Sequence, residues 1–428
     1  MSADDVAPGR AAGTASGPAA PEFVVVGVGA DGWAGLTIPA QNELTRASVI
    51  YGSPRQIDLL PLLSADTRTW RSPMSAHLSE VLASPRGDHP IHILASGDPM
   101  FHGVGSSIVR AVGRDRVRVL PAVSSASLAC ALLGWDLARV EVVSLVTAEP
   151  EAIAPRLADG RDLLILSRDA ATPAAVAAVL RSNGFGWSSM SVLEQLGGDR
   201  QRVVEGVARS WAHPVGDALN VIAIGCVGPR AGVMPGLDDD AFRHDGQITK
   251  QAFRALSVSA LRPGGPQVLW DIGSGSGSVG IEWARADQHG RVIAFEASDE
   301  RRDMLRDNSR RHGVDNRVSV RGAAPEAFDE APDPDTVFIG GGLTDEVFDG
   351  AWSALLEGGR LVVNAVTLET QALVIDGYHR HGGMLRRIGI ETAAALGTMT
   401  TWRPALPIVQ WVVDKPVDTS DSESGTNR

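Results

Sequence analysis

Apolar residues from Phe23 onward gather in short runs separated by stretches of helical period, and that alternation predicts an α/β chain. The first run, Phe23 to Val28, leads into Gly27, Gly29 and Gly32 and then a helix begun by Thr37 with Pro39 in its first turn. Further strand-like runs fall at 91–95, 116–120, 140–146, 162–166, 190–194 and 219–226, with helical segments such as 124–133 and 172–182 between them. The stretch 228–246, GPRAGVMPGLDDDAFRHDG, has no apolar period and is rich in Gly, Pro and Asp, so it marks a boundary. Beyond it a helix over 250–261 precedes strands at 267–271, 291–296, 317–321, 335–339 and 360–366, each followed by a helical stretch, which is a second doubly wound unit. The expected organisation is a leader over 1–21, a unit over 22–228, a linker over 229–245, a unit over 246–414 and a tail over 415–428. Leader and tail are small, polar and rich in Pro, Gly or Ser, a composition that predicts disorder.

Composition narrows the function. A chain of 428 residues with 44% hydrophobic residues has material for two cores. Its formal charge of −12 argues against nucleic acid, because a phosphate backbone calls for a broad excess of Lys and Arg. No apolar run reaches the roughly 18 to 20 residues that cross a bilayer, and no basic-then-apolar signal opens the chain, so a cytoplasmic protein without a membrane partner is expected. Cys130 and Cys226, each in an apolar stretch, read as reduced core thiols rather than a disulfide.

The segment Val268 to Gly280, VLWDIGSGSGSVG, carries the sharpest chemistry. A buried strand expected to end at Asp271 runs into Gly273, Gly275 and Gly277 and then a helix, whose first N–H groups would face a carboxylate or phosphate. Glu296, nineteen residues after Gly277, closes the next strand where an acid would accept from ribose hydroxyls. This much suits either a nicotinamide dinucleotide or S-adenosylmethionine. Lys250 is one of two lysines beside 37 arginines, and a compact ammonium there could pair with a substrate carboxylate or simply start a helix. The helix over 299–312 interleaves Arg301, Arg302, Arg306, Arg310 and Arg311 with acids at helical spacing, a solvated face.

Taken together, D-x-G-x-G-x-G, Gln247-Ile248-Thr249-Lys250, RALSVSAL, GAAPE at 322–326, FIGGG at 338–342 and GGRLVVNAVTLET at 358–370 resemble the class I corrin methyltransferases that methylate C15 and decarboxylate. The resemblance spans about 246–412. It implies that Thr249, Gly273, Ser274, Gly275, Ser276, Gly277, Glu296 and Ala323 hold S-adenosylmethionine. Thr249 would stand at the mouth, the glycines under the methionine moiety, Glu296 on the ribose and Ala323 beside the adenine. Asn364 and Thr367 would face the reacting carbon or the tetrapyrrole edge, and Lys250, by its own argument of pairing with a substrate carboxylate, is the third catalytic candidate.

In the first unit, Gly27-Val28-Gly29-Ala30-Asp31-Gly32 fits a loose dinucleotide pattern, but no Arg or Lys sits nearby in sequence and no acid closes the next strand at Tyr51. With Ala95-Ser96-Gly97-Asp98-Pro99, FHGVGSSI and Pro121-Ala122-Val123-Ser124-Ser125, it resembles the tetrapyrrole (class III) methylase family over about 22–228. The resemblance implies a two-lobed tetrapyrrole methylase fold followed by a Rossmann-like class I methyltransferase unit. It places S-adenosylmethionine between the lobes on Gly97, Asp98, Met100, Ser125, Asn220 and Val221, with Gly27 and Gly29 lining the substrate side. Two departures bear on C5 activity: His102 stands where tyrosine is common, and Val146-Thr147-Ala148-Glu149 replaces the usual His-Gly-Arg.

The two resemblances imply one cofactor site per unit, methylation of precorrin-6Y at C5 and C15, loss of the C12 acetate carboxyl to give precorrin-8X, and no metal. A cobalt-precorrin substrate, a Rossmann oxidoreductase and a non-catalytic cofactor sensor are the alternative readings, and a homo-oligomer is the expected assembly for the second unit.

Overall fold

The computed structural model describes residues 21–84, 89–230 and 232–417, so the expected leader and tail lie outside the described residues except for Pro21 and 415–417. Among the described residues the strands form four sheets.

The first lobe is a parallel sheet in the order β3-β2-β4-β1-β5, built from β1 (Phe23–Val28), β2 (Val49–Gly52), β3 (Asp66–Thr69), β4 (Ile91–Ser96) and β5 (Val117–Leu120). β1 reads as a continuous apolar run because both faces are covered. Val24 and Val26 pack with Leu36, Leu44 and Ile50 on one side, and Val25 with Ile93 and Ile108 on the other. The second lobe holds β6 (Glu141–Ser144), β7 (Asp162–Leu166), β8 (Ser189–Glu194), β9 (Arg202–Val207) and β10 (Asn220–Gly225) in the order β6-β7-β10-β8-β9. Only the β6–β7 pair there is parallel; β10 runs antiparallel to both neighbours and β9 to β8.

The C-terminal sheet is seven-stranded, in the order β13-β12-β11-β14-β15-β19-β16. β11 (Val268–Ile272), β12 (Arg291–Phe295), β13 (Val318–Arg321), β14 (Thr336–Ile339) and β15 (Arg360–Ala365) are parallel. β16 (Met384–Ile388) and β19 (Ile408–Asp414) add an antiparallel end, and β17 (Glu391–Leu396) with β18 (Met399–Pro404) forms a hairpin between them. The expected doubly wound unit thus carries an antiparallel end and a hairpin that the sequence reading did not include, and β11 runs one residue past Asp271. Trp270, Phe295 and Phe328 stack or meet edge-on with ring centroids 4.7–5.1 Å apart and fill the core on one face.

The stretch read as a linker is instead bound along the C-terminal unit. Glu282, buried, accepts from the N–H groups of Gly236 (2.6 Å) and Leu237 (3.0 Å). Arg254, wholly buried, donates to Glu282 (2.7 Å), Asp239 (3.0 Å) and the Thr249 carbonyl (2.6 Å), and to the Leu237 carbonyl. The Phe242 ring lies under that guanidinium, 4.8 Å from centroid to Cζ. A linker without apolar period thus gains its order from three charged side chains and one ring. Lys415 is fixed too, donating to the Trp352, Ser353 and Leu355 carbonyls at a helix C-terminus. Cys130 and Cys226 are buried free thiols, and burial pushes Cys226 up to about 11. Among the described residues no helix is long and apolar enough to cross a membrane.

Candidate active site

All five parallel strands of the C-terminal sheet end at one edge, and the loops leaving that edge carry most of the singled-out residues, as expected for ligand sites in open α/β sheets. After β11, Gly273, Gly275 and Gly277 adopt φ of 68°, 56° and 79°, the region L side chains avoid. The Gly273 and Ser274 N–H groups both donate to the Phe295 carbonyl (3.0 and 3.1 Å), and the Ser274 hydroxyl donates to the Asp271 carbonyl (2.6 Å). A Cβ on Gly273 would stand 2.4 Å from the Gly341 carbonyl oxygen, and one on Gly277 2.6 Å from Leu305 Cγ. At Gly275 nothing lies closer than the Gln247 carbonyl at 3.9 Å. Gly273 and Gly277 are therefore required by packing, whereas Gly275 faces open space.

Glu296 follows β12 and is buried; one carboxylate oxygen accepts from the Gly275 N–H (2.8 Å) and the other from the Ser298 N–H (2.9 Å). Each oxygen keeps a further lone pair for a ligand. Asp271, fully buried behind the loop, accepts from the Gly280 N–H (3.0 Å) through one oxygen, while the other has no partner among the described residues. Desolvation pushes its carboxyl up to about 7, the Gly280 bond opposing and the Glu296 charge adding to the rise. The buried Ser276 hydroxyl is likewise without a partner among the described residues.

The remaining residues divide between the edge and the helix caps. Ala323 lies two residues past β13, half-buried. Asn364, half-buried in β15, donates to the Ser257 hydroxyl (2.7 Å) and accepts from the Gln410 amide (2.9 Å). Thr367 is exposed and caps the helix Leu368–His381, its hydroxyl oxygen accepting from the Thr370 N–H (3.3 Å). Lys250 precedes the helix Gln251–Leu261, and its ammonium already faces Asp239 at 3.5 Å. The arginine-rich helix Asp299–Arg311 pairs its charges at i,i+3 rather than i,i+4. It is not wholly a solvated face, since Arg301 reaches Asp245 (2.9 Å) and Gln247 (2.8 Å) beside the glycine loop.

The first unit has a cleft of its own, about 180 Å³, between its two lobes. Gly97, Ser125, Asn220 and Val221 line it, while Asp98 and Met100 sit beside it in a turn closed by a bond from the Met100 N–H to the Asp98 carboxylate (2.8 Å). Asn220 is held by the Ser167 hydroxyl (2.5 Å) and donates to the Asp217 carbonyl (2.9 Å). Gly29 lines the cleft as expected, but Gly27 does not: a Cβ there would lie 2.2 Å from the Gly97 carbonyl oxygen, so its role is to let two strand-end loops meet. His102, with φ of 53°, and Val146 also face the cleft, which puts both departures from the family pattern on its wall. Arg55, distant in sequence from the glycine run, lines the same cleft as Gly29 and so brings a cation to it. Its place as the second residue of a short helix begun by Ser53 and Pro54 gave no sign of this in the sequence.

A glycine-rich loop closed by a buried acid at the edge of one sheet, in a chain whose other unit is two-lobed with a cleft of its own, fits the class of two-unit methyltransferases. A family model described as tetrapyrrole (corrin/porphyrin) methylases matches residues 22–212, and one described as a precorrin methyltransferase domain matches 240–415. A Mycobacterium tuberculosis protein named precorrin-6Y C(5,15)-methyltransferase [decarboxylating] is 44% identical over 92% of this chain and 100% of its own length. One of the same name from a Sinorhizobium species is 42% identical over 91% of this chain and 96% of its own. The solved C-terminal domain of the Rhodobacter capsulatus protein of that name is 42% identical, covering 43% of this chain and 100% of that one, with a TM-score of 0.42. The chain belongs to the precorrin-6Y C(5,15)-methyltransferase (decarboxylating) family.

Proposed function

We propose that the chain methylates precorrin-6Y at C5 in a unit over 22–228 and at C15 in a unit over 246–414, the latter with loss of the C12 acetate carboxyl, giving precorrin-8X in the cytoplasm. The observation that carries this reading is the presence, in one chain, of two unlike sites: the inter-lobe cleft and the glycine cradle at the C-terminal sheet edge. Each fits one S-adenosylmethionine.

In the second site the residues suit that cofactor. The open face of Gly275 would admit it, Glu296 would offer lone pairs to a ribose, and the start of the helix Ser278–Ala286, which has no side-chain cap and only its Gly280 N–H taken by Asp271, would suit a carboxylate. Thr249, Ser274, Ser276 and Ala323 complete the enclosure. When bound, S-adenosylmethionine supplies an electrophilic methyl group. An electron-rich macrocycle carbon needs little acid or base help, so the chain's work is to align that carbon and exclude water. Asn364 is suited to the alignment, because the bonds to Ser257 and Gln410 fix its amide; Thr367 and Lys250 would border the macrocycle. In the first site Gly97, Asp98, Met100, Ser125, Asn220 and Val221 would hold the second cofactor, with room left by Gly29.

The test is mass spectrometry of the product after incubation with metal-free precorrin-6Y and methyl-labelled S-adenosylmethionine. Two labelled methyls with loss of one carbon dioxide are expected. One methyl with that loss would mean that His102 and Val146 mark a silent first site; turnover of only the cobalt-containing substrate would overturn the metal-free assignment.

A further inference from the structure

We infer that Arg55 forms a carboxylate-binding subsite in the inter-lobe cleft, an inference that rests on the methylase reading and names the group that an anionic ligand would dock there. Arg55 lies on the short helix Pro54–Asp58, which a capping box locks in place: the Ser53 hydroxyl accepts from the Gln56 N–H (3.3 Å) and the Gln56 side chain from the Ser53 N–H (2.8 Å). Gln56, buried, also donates to the Ser96 hydroxyl (3.2 Å), and Arg55 Nη2 donates to the same oxygen (2.9 Å). Ser96 immediately precedes Gly97 and Asp98, so the guanidinium is anchored beside the loop singled out for the cofactor.

A guanidinium has five N–H donors, and the Ser96 bond uses one. Among the described residues no carboxylate stands within ion-pair distance of Arg55. The cleft that it lines has apolar walls, among them Val28, Phe101, Leu166, Leu193 and Leu196, with Ser125, Ser167, His102 and Asn220 as further polar groups. Burial lowers its pKa, with the charge of Asp217 opposing. By contrast Arg202, on β9, is paired with Glu194 at 2.7 Å. A cation drawn from water without a counterion is costly, and a carboxylate matching its planar fork would recover that cost. Two carboxylates could arrive: an acetate or propionate arm of the macrocycle, or the amino-acid end of the cofactor.

The experiment uses the full chain with Arg55→Gln, Arg55→Lys and Ser96→Ala, measuring C5 methylation against precorrin-6Y concentration and the equilibrium binding of S-adenosylhomocysteine. C15 methylation by the same molecules serves as the reference for intact folding. A rise of roughly ten- to a hundredfold in KM at C5 in Arg55→Gln, the loss of a charged hydrogen bond, with Lys partly restoring it, assigns the macrocycle arm. The same factor on S-adenosylhomocysteine at one of two sites, with KM unmoved, assigns the cofactor's carboxylate. Wild-type constants in Arg55→Gln overturn the inference, as does a Ser96→Ala protein more impaired than Arg55→Gln, because then Arg55 acts only by holding Ser96. If the wild-type protein methylates no macrocycle at all, the methylase reading fails, and the S-adenosylhomocysteine measurement alone decides Arg55.

Discussion

Gly273 and Gly275 stand two residues apart with nearly the same backbone, and replacing each with alanine separates what the fold needs from what the ligand needs. Both changes place a side chain in the left-handed region, at about 1–2 kcal/mol. Gly273→Ala adds a Cβ 2.4 Å from a backbone carbonyl of the neighbouring loop, which must move by roughly 1 Å, an overpacking cost of about 1–3 kcal/mol. The total, about 2–5 kcal/mol, falls on the hinge between β11 and β14. Gly275→Ala meets nothing within 3.9 Å and carries the conformational cost alone, yet its methyl points into the space assigned to the cofactor.

Hydrogen exchange over 268–295 should accelerate clearly more in Gly273→Ala than in Gly275→Ala, which carries only the conformational cost, a local readout that avoids treating a two-unit chain as two-state. Both variants should lose S-adenosylhomocysteine binding at one site and C15 methylation, and both should keep C5 methylation. Gly275→Ala with wild-type affinity at both sites would refute the argument, because the open face of Gly275 would then not be where the cofactor lies.

Three further outcomes follow from buried groups. Asp271 titrates near 7 in the folded chain against 3.8 in the unfolded one, so the folded state binds the proton more tightly and its stability falls as pH rises from about 4 to 7. His312, held down at about 4 by burial, works in the opposite sense between 4 and 6.5, so the Asp271 contribution should be read as the difference between wild type and Asp271→Asn in denaturant titrations across pH; a difference that does not change over that window would refute it. Glu282→Gln should destabilise the C-terminal unit by about 3–5 kcal/mol by leaving the Arg254 charge underpaired, while the double change with Arg254→Met should cost less than the two singly, checked by a double-mutant cycle. Neither Cys130 nor Cys226 should react with a thiol reagent until denaturant is added, since burial raises both pKa values and hides both sulfurs.

What could be read beforehand follows from where apolar signal lives. β1, β4, β7 and β11 are buried on both faces and announce themselves as continuous runs. β3, Asp-Thr-Arg-Thr, is exposed at every position and owes its strand to pairing with β2, so no periodicity could mark it. β17 and β18 pair only with each other and are largely exposed, which leaves the same silence. β19 is different: its run from Ile408 to Val413 is buried throughout, yet it was not among the strands expected, the polar Gln410 at its centre breaking the apolar pattern.

That glutamine shows why a site is harder to read than a sheet. A polar residue in a buried strand looks like a flaw in the pattern until its partners are known. Here Arg386 donates to the Gln410 carbonyl oxygen (3.0 Å), which turns the amide nitrogen toward Asn364 and so leaves the Asn364 nitrogen for Ser257. The orientation of Asn364 is thus set by residues 22 to 107 positions away. Arg55 reaches the first cleft in the same way, through a buried glutamine and a serine some forty residues on. Glycines and strand ends recur at spacings that a sequence displays; the hydrogen bonds that aim an amide or leave a guanidinium without a counterion are made only when distant elements pack, and they are where the chemistry of this chain is decided.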